Sequence, residues 1–331
     1  MRPAPPILGD LLRDVSRSFY LTLRWLPGSV RSQIGLAYLL ARATDTVADT
    51  EILPVAERLK ALQELRARIL GTRTTPLDLG KLAGRQGTPA ERTLLERCEE
   101  ALGELDRLSP FDQAAIREVI GTITSGQELD LQRFAGASGQ NIAALGSDEE
   151  LDDYTYRVAG CVGEFWTTLC RAHVFPRAKL DDAALRRNGI RFGQGLQLVN
   201  VLRDIPADLR QGRCYLPLPA LRQAGLTPSD LLDPSVMPRL QPVYDYWLAR
   251  AQEHLTAGWT YTNSLPWRHA RVRLPCAWPI LLGRQTLDKL RQGNVLDPAQ
   301  RIKVSRGEVK GMILRTLAVY GWPPAWRKLF P

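Results

Sequence analysis

Two pairs of aspartates in the sequence have the spacing and the surroundings of a metal site. Asp45 and Asp49 form the first pair, and Asp204 and Asp208 form the second. Residues four apart lie on the same face of a helix, and both pairs occur within otherwise apolar segments. A carboxylate in an apolar setting is costly unless it is paired or bound to a metal. We therefore predict that the four carboxylates surround one space and share a cation there.

Each aspartate pair is accompanied by polar side chains at helical spacing. Tyr38 and Arg42 share the face of the first pair, and Gln197 and Asn200 share the face of the second. A single aspartate pair would most often be a solvated acidic face of a helix. Two pairs in apolar helices, each with amide, hydroxyl or guanidinium companions, favour a ligand site instead.

The chemistry of these side chains suits magnesium and phosphate. Carboxylate oxygens and the amide oxygen of Asn200 are ligands for Mg²⁺ rather than for zinc or copper. In proteins, Mg²⁺ commonly joins one or two carboxylates to a substrate phosphate. Arg42, Arg203 and Arg213 are near the aspartates in sequence and can hold phosphate oxygens through bidentate hydrogen bonds. The pattern thus predicts a diphosphate held by Mg²⁺ between two helices.

The elements that would position these residues are helices. Apolar residues recur at helical spacing along most of the chain, and proline and glycine interrupt them. The predicted helices cover residues 8–24, 29–50, 55–70, 90–106, 110–132, 148–174, 181–208, 236–264, 270–292 and 305–320. Residues 71–90 and 209–235 predict loops, the second with short helical pieces. Because no segment alternates in the manner of a strand, we predict an all-α fold in a single domain spanning residues 1–331.

The composition limits the classes of partner. The 331 residues carry a formal net charge of +9, which favours anionic ligands, and the sequence contains no nucleic-acid-binding motif. Five cysteines without a CxxC pair indicate reduced thiols. We find neither a signal-peptide pattern nor an apolar run long enough to span a membrane. We expect a cytoplasmic protein whose residues 319–330 either pack as a tail or touch the inner face of the membrane.

Four segments match the motifs of a known family, in the same order along the chain. They are SRSFYLTLRWLP (16–27), LAYLLARATDTVADT (36–50), DDYTYRVAGCVGEFW (152–166) and LQLVNVLRDIPADLRQGRCYLP (196–217). At these residues the sequence resembles the squalene and phytoene synthases. The resemblance implies an all-α isoprenoid-synthase bundle with a central cavity, in which two prenyl diphosphates are joined head to head.

The resemblance also implies roles for individual residues. The metal ligands, through which the aspartates would act in catalysis, would be Asp45, Asp49, Asn200, Asp204 and Asp208. The residues that contact diphosphate or order the site would be Ser16, Arg17, Ser18, Tyr38, Arg42, Gln197, Arg203 and Arg213. Tyr154 stands where the family has its catalytic tyrosine, and the nearby Tyr156 is an alternative. Either tyrosine is also compatible with a core position in which the hydroxyl is satisfied.

The second aspartate motif departs from the family pattern at two positions. Ala207 stands where many relatives carry an acidic residue. Pro206 lacks a backbone donor and is expected to kink or end the helix nearby. The proline therefore bears on the orientation of Asp208, which follows it, and not on that of Asp204.

The resemblance leaves more than one product open. Squalene synthases convert two farnesyl diphosphates through presqualene diphosphate to squalene, with hydride from NADPH, whereas phytoene and dehydrosqualene synthases omit the reduction. The segments RLPCAWPILLG (273–283) and IKVSRGEV (302–309) resemble squalene-synthase stretches, and in the second of them Lys303 and Arg306 would meet a cofactor phosphate. We favour a squalene synthase. The alternatives are a phytoene or dehydrosqualene synthase, a terpene cyclase on the same architecture, and a non-enzymatic lipid-binding relative.

Overall fold

The computed structural model describes residues 7, 9–16, 19–50, 52–300 and 302–330, apart from the side chains of Phe19 and Leu21. Helices account for most of these residues, which confirms the predicted all-α class. The described residues form two compact units. The first unit holds the residues up to Ala135 together with Phe165–Ala178, and the second holds Gly136–Glu164 together with the residues from Lys179 onwards. The single domain expected from the sequence stays a prediction.

The first unit is built from helices that begin at prolines or at hydroxyl caps. Its helices before residue 135 are α1 (Asp10–Ser16), α2 (Phe19–Trp25), α3 (Gly28–Ala48), α4 (Val55–Ile69), α5 (Gly80–Ala83), α6 (Pro89–Glu96), α7 (Cys98–Asp106) and α8 (Pro110–Arg133). At the start of α8, the side chain of Ser109 accepts a hydrogen bond from the backbone N–H of Asp112, and Pro110 occupies the first helical position. Thr88 and Pro89 do the same for α6. Both arrangements satisfy or avoid an orphan N–H of the first turn.

Three boundaries in the first unit differ from the prediction. The helix predicted over 8–24 is described as α1 and α2, and the helix predicted over 90–106 is divided at Arg97 into α6 and α7. The predicted loop over 71–90 contains the single turn of α5. Short polar breaks of this kind carry weak sequence signals, since neither proline nor glycine marks Arg97.

The carboxyl end of α3 is held by side chains from its neighbours. The Arg58 guanidinium donates from Nη1 to the carbonyl oxygen of Ala48 at 2.9 Å. The Thr50 hydroxyl donates to the carbonyl oxygen of Thr46 and accepts from the amide of Gln86. A cation at this position satisfies a terminal carbonyl and suits the negative end of the helix dipole. The last turn of α3, which leads to Asp49, is thereby fixed.

The second unit combines long helices with one short parallel strand pair. In chain order it contains β1 (Ala143–Leu145), α9 (Asp148–Thr155), a π-helical turn (Tyr156–Gly160), the start of α10 (Cys161–His173), α11 (Asp182–Arg210), β2 (Arg213–Pro217), α12 (Leu218–Gln223), the 3₁₀ turns Pro228–Leu232 and Pro234–Val236, α13 (Met237–Ser264), α14 (Ala270–Gln292), α15 (Arg306–Val319) and α16 (Pro323–Arg327). β1 and β2 pair in parallel with Ala143 opposite Arg213. Strands this short cannot show a recognisable alternation, so the sequence did not predict them.

Two glycines allow the backbones around the π turn and α11 to meet almost directly. A Cβ atom on Gly193 would lie 2.0 Å from the carbonyl oxygen of Ala159, and one on Gly163 would lie 1.8 Å from that of Gly189. The sequence predicts a single α-helix over 148–174, but the π turn interrupts it at this crossing. π turns are rare, and they occur often at functional sites.

Replacing Gly193 by alanine is expected to destabilise the protein strongly. The added methyl group would clash with backbone atoms, which cannot rotate away, so the free energy of unfolding should fall by about 3 kcal/mol. The matched control is Gly311→Ala in α15, because a Cβ there meets nothing within 4 Å. This control should be neutral or slightly stabilising. Denaturant unfolding of both variants measures the difference, and equal stability of the two would contradict the close crossing.

α11 runs through Pro206 and ends at Arg210, four residues after the proline. Pro206 has no N–H to offer to the carbonyl of Leu202, the usual partner in an α-helix. That carbonyl accepts a hydrogen bond from the hydroxyl of Tyr244 at 3.1 Å instead. Asp204 and Asp208 consequently remain on one face of a continuous helix.

The C-terminal segment packs against α13 within the second unit. Trp326 is fully buried, stacks on Trp259 with ring centroids 5.3 Å apart, and donates its Nε1 hydrogen to Asn263 Oδ1 at 2.8 Å. Trp322, in contrast, is 65% exposed. The packed tail is therefore the arrangement that the structure adopts for Trp326. Across the described ranges, no helix has the length and apolar character needed to cross a membrane.

His254 is expected to make the protein less stable in acid. Burial, followed by the charges of Arg191 and Arg250, lowers the pKa of His254 to about 4, and its buried Nδ1 has no hydrogen-bond partner. Between about pH 6.5 and pH 4 the unfolded chain therefore binds a proton that the folded chain excludes, and stability falls as the pH falls. Over this range, the wild type should lose about 2 kcal/mol more stability than His254→Gln. Parallel losses in both proteins would contradict this assignment.

Candidate active site

The first acidic row consists of Tyr38, Arg42 and Asp45 on one face of α3, together with Asp49, the C-cap residue of that helix. The guanidinium of Arg42 donates from Nη1 to the Asp45 carboxylate and from Nη2 to Glu91 Oε1 at 2.6 Å. The Tyr38 hydroxyl lies 3.4 Å from the carbonyl oxygen of Val15, to which it donates. Asp49 is exposed and follows the last residue of α3. The predicted sharing of one helix face by these residues is thus observed.

The electrostatics of the first row favour a cation. Solvent reaches 42% of the Asp45 side chain, but protein surrounds the carboxylate closely enough that burial raises its pKa. The charge of Glu91 acts in the same direction, and Arg42 opposes both. A carboxylate whose charged form is disfavoured gains free energy from any additional positive charge nearby. Arg42 supplies part of this charge, and a divalent cation would supply more.

Two recesses border the first row within the first unit. One has a volume of about 510 Å³ and lies between α1 and α6, and the other, of about 280 Å³, lies beside Asp49. Arg42 and Glu91 line both recesses, and Arg85 adds a second guanidinium to the smaller one. The space next to Asp49 therefore combines carboxylates with guanidinium groups, as a metal-bound anion requires.

Sequence reasoning missed Glu91 as a part of this site. The available signal was local: Thr88 and Glu91 have the spacing of a capping box, and the Thr88 hydroxyl lies 2.7 Å from Glu91 Oε2. That pattern predicts where a helix begins, but it does not predict which side chain the glutamate will meet. Only the folded chain places Glu91 against Arg42.

The second acidic row consists of Gln197, Asn200, Asp204 and Asp208 on one face of α11. The guanidinium of Arg203 donates from Nε to Asp204 Oδ1 at 2.8 Å and from Nη2 to Oδ2 at 2.6 Å. The hydrogen bond to Asp204 is the largest cause of a raised pKa of Arg203, and the charge of Asp208 adds to it. Each acidic row therefore carries an arginine paired with its first aspartate.

Tyr154 is joined to the second acidic row. The amide of Gln197 donates to the Tyr154 hydroxyl at 3.4 Å, and the amide of Asn200 lies 3.5 Å from Gln197 Oε1. The Tyr154 ring stacks on Tyr215 of β2, with centroids 4.6 Å apart. β2, which the sequence did not predict, thus supplies the ring that stacks on Tyr154.

Tyr156 engages a different group. Its hydroxyl donates to Glu164 Oε2 at 3.4 Å, and Glu164 forms an ion pair with Arg186. Burial, and then the charge of Glu164, raises the pKa of Tyr156. The structure therefore brings Tyr154, and not Tyr156, into hydrogen-bond contact with the second row.

The other residues that were predicted to contact diphosphate lie in different local environments. Arg213 begins β2 directly after Gly212, which has φ +83° and leaves no space for a Cβ, since one would lie 2.3 Å from the backbone nitrogen of Ser138. Ser16 is buried at the end of α1, and its hydroxyl donates to the carbonyl of Leu12 in the same helix. The predicted diphosphate contacts Arg17 and Ser18 lie outside the described residues.

The predicted cofactor residues lie at the start of α15. Lys303 and Arg306 are both exposed. Lys289 donates to the carbonyl oxygen of Lys303 at 3.2 Å and pairs with Glu308, which closes a capping box with Ser305. Basic side chains at the amino end of a helix suit a phosphate group.

The donor set of the two rows fits magnesium. Carboxylates and one amide oxygen are the available ligands, and this all-oxygen chemistry suits a hard divalent cation. Among the residues that the structure describes, no three histidine, cysteine, aspartate or glutamate side chains are grouped closely enough to hold a metal ion.

The curated relatives of the chain include proteins named as phytoene synthases and proteins named as squalene synthases. The chain is 29% identical over 272 residues to a bifunctional lycopene cyclase/phytoene synthase of Colletotrichum graminicola, a match that covers 80% of this chain but only 42% of that protein. It is 27% identical to a phytoene synthase of Arthrospira platensis, with 86% of this chain and 82% of that protein covered. It is also 29% identical to a squalene synthase of Eremothecium gossypii, with 63% and 45% covered.

Solved structures share the fold over nearly the whole chain. A ligand complex of TcSQS has a TM-score of 0.79 at 22% identity and covers 98% of this chain and 89% of its own. The squalene synthase from Alicyclobacillus acidocaldarius has a TM-score of 0.60 at 21% identity, with 86% and 92% covered. The family model for squalene/phytoene synthases matches residues 12–308, and the chain therefore belongs to the squalene/phytoene synthase family.

Proposed function

We propose that this protein is a magnesium-dependent prenyltransferase that joins two farnesyl diphosphates head to head. The observation that carries the proposal is the pair of acidic rows, one along α3 and its C-cap and one along α11, each with an arginine beside its first aspartate. Under this proposal, Asp45 and Asp49 together with Asn200, Asp204 and Asp208 hold Mg²⁺. The bound metal would stabilise the negative charge that develops on the departing diphosphate.

The arginines have a role that follows from their present partners. Arg42 and Arg203 neutralise Asp45 and Asp204 in this structure. With Mg²⁺ held by these carboxylates, the guanidinium groups would be free to donate bidentate hydrogen bonds to the diphosphate oxygens. Arg213 and Arg85 add positive charge within their own units. These cations would favour diphosphate release because they would offset the negative charge that develops on the leaving group.

The chemistry proceeds by two ionisations. The C1–O bond of one farnesyl diphosphate breaks, its electron pair leaves with the diphosphate, and the double bond of the second substrate attacks the allylic cation. Loss of a proton to the Tyr154 hydroxyl or to the released diphosphate gives the cyclopropyl compound presqualene diphosphate. A second ionisation and a rearrangement would give a cation, and NADPH, as the hydride donor, would supply the reduction that gives squalene. Lys303 and Arg306 would hold the cofactor phosphate.

The use of NADPH distinguishes squalene synthesis from the synthesis of phytoene or dehydrosqualene. Phytoene and dehydrosqualene synthases end the reaction by proton loss, and phytoene synthases are among the relatives of this chain. What supports the reductive reaction is the exposed basic group at the start of α15 and the resemblance of residues 273–283 and 302–309 to squalene synthases. A terpene cyclase would instead form a cyclic product from one substrate molecule.

A product assay tests the proposed function. The purified protein is incubated with farnesyl diphosphate and Mg²⁺, with and without NADPH, and with geranylgeranyl diphosphate in parallel. We expect squalene only when NADPH is present. Dehydrosqualene or phytoene formed regardless of NADPH would replace the proposal by the non-reductive reaction. No product under any condition, with cellular function retained by Asp204→Asn, would indicate the non-enzymatic relative.

Contact with the membrane would give the enzyme access to its apolar product. α15 and the turn that follows expose Leu314, Leu317 and Trp322, and Arg315 and Arg327 are exposed nearby. Exposed apolar residues flanked by basic ones suit the interface of an anionic bilayer. We therefore include peripheral attachment to the inner face of the membrane in the proposal, and sedimentation with anionic vesicles tests it.

A further inference from the structure

The hydroxyl of Tyr244 stands where α11 lacks a backbone hydrogen bond. In an uninterrupted α-helix, the carbonyl of Leu202 would accept from the N–H of residue 206. Residue 206 is proline, which has no N–H and whose ring crowds that carbonyl. The Tyr244 hydroxyl, carried by α13, donates to the Leu202 carbonyl at 3.1 Å. One side-chain donor thus takes the place of the missing main-chain donor.

The carbonyl of Leu202 has no easy access to another hydrogen-bond donor, because the site is buried. Leu202 and Tyr244 are both fully buried. A buried carbonyl without a donor costs free energy comparable to a lost hydrogen bond, and a water molecule can supply the donor only where the helix opens. Burial also raises the pKa of Tyr244, so its hydroxyl keeps its proton and can donate across the physiological range.

The position of this hydrogen bond connects it with the second acidic row. Asp204 lies between Leu202 and Pro206, and Asp208 follows Pro206 by two residues. The two aspartates face the same side only while the helix keeps α-helical geometry across the proline. If the helix opened locally at Leu202, Asp208 would turn relative to Asp204. The two carboxylates would then no longer share one face of the helix.

We propose that Tyr244 is a positioning residue for the second acidic row, because its hydroxyl replaces the N–H that Pro206 cannot provide and so keeps Asp204 and Asp208 aligned. The expected effect on metal binding rests on the proposed function, whereas the role of the hydrogen bond in the helix does not. It also explains how a proline is accommodated within the acidic motif of this chain.

The test exploits the fact that alanine at position 206 would restore the main-chain donor. Three variants are compared with the wild type: Tyr244→Phe, Pro206→Ala and the double variant. Hydrogen exchange of the amides over residues 207–211 reports on the helix, and titration with Mn²⁺ in the presence of inorganic diphosphate, followed by electron paramagnetic resonance, reports on metal binding. The amides of α14 serve as an internal control for the stability of the second unit.

Tyr244→Phe should exchange the amides over 207–211 about tenfold faster and weaken Mn²⁺ binding by about tenfold, while α14 is unchanged. In the double variant both values should return to within about twofold of Pro206→Ala alone. Unchanged local exchange in Tyr244→Phe, unchanged Mn²⁺ binding, or a failure of Pro206→Ala to restore either value would overturn the proposal. If the wild type binds no Mn²⁺ with diphosphate, the proposed function fails, and the exchange measurements still decide whether Tyr244 holds the helix.

Discussion

Asp204→Asn is expected to reduce turnover by about a thousandfold or more. The substitution removes a full negative charge from the second acidic row but keeps the shape of the side chain, so a metal ion loses both a ligand and electrostatic attraction. Because the diphosphate must leave with a developing charge, the loss falls on the ionisation step. Asp45→Asn should have an effect of similar size, since the proposed function assigns the same role to the first row. Steady-state rates with farnesyl diphosphate and Mg²⁺ measure both variants.

The control for Asp204→Asn is Asp153→Asn in the same unit. Asp153 pairs with Arg157 at 2.8 Å and is partly exposed, and such pairs contribute between about 0 and 1 kcal/mol to stability. This variant should keep nearly wild-type turnover. Both variants should remain folded, because Arg203 and Asp204 are also partly exposed. If Asp204→Asn turned over at the same rate as Asp153→Asn, the result would contradict a role of the acidic rows in the mechanism.

Tyr154→Phe is expected to reduce kcat by about a hundredfold, with a smaller change in KM. The hydroxyl is the part of this side chain that contacts Gln197, while the ring is held by its stacking on Tyr215. Phenylalanine preserves the stacking and removes only the hydroxyl, so the loss should fall on proton transfer rather than on folding. Accumulation and conversion of presqualene diphosphate, followed in single-turnover experiments, locates the affected step.

Tyr156→Phe provides the matched comparison, since it removes a hydroxyl only two residues away. The Tyr156 hydroxyl contacts Glu164 and not the second row. This variant should keep kcat within about threefold of the wild type, as expected for a residue outside the reacting region. If Tyr156→Phe loses more activity than Tyr154→Phe, the assignment of the catalytic tyrosine must be reversed.

The sequence predicted the features that depend on helical periodicity. Asp45 with Arg42, and Asp204 with Asn200, were expected on shared helix faces, and they lie there because spacings of three and four residues translate directly into a helix surface. The all-α class followed from the same periodicity. The sequence also predicted that both acidic rows face one diphosphate. This depends on how the two rows are placed relative to each other, and it stays a prediction.

Other features depend on contacts between distant segments, which a single sequence does not reveal. Glu91 reaches Arg42 from a separate helix, and Tyr215 reaches Tyr154 from a strand that is too short to show alternation. The sequence predicted that Pro206 would kink or end α11 nearby, and the helix continues for four residues to Arg210. The donor that offsets the missing N–H, Tyr244, lies on another helix. Local rules are incomplete at these positions because a tertiary contact supplies what the local chain lacks.

A crystal structure with Mg²⁺ and the unreactive analogue farnesyl thiodiphosphate tests the central claim most directly. The account predicts metal ions coordinated both by Asp45 or Asp49 and by Asp204 or Asp208, with the thiodiphosphate between them and with Arg42 and Arg203 turned from their aspartates to its oxygens. Thiodiphosphate bound away from both aspartate pairs, or metal ions held by neither acidic row, would contradict it.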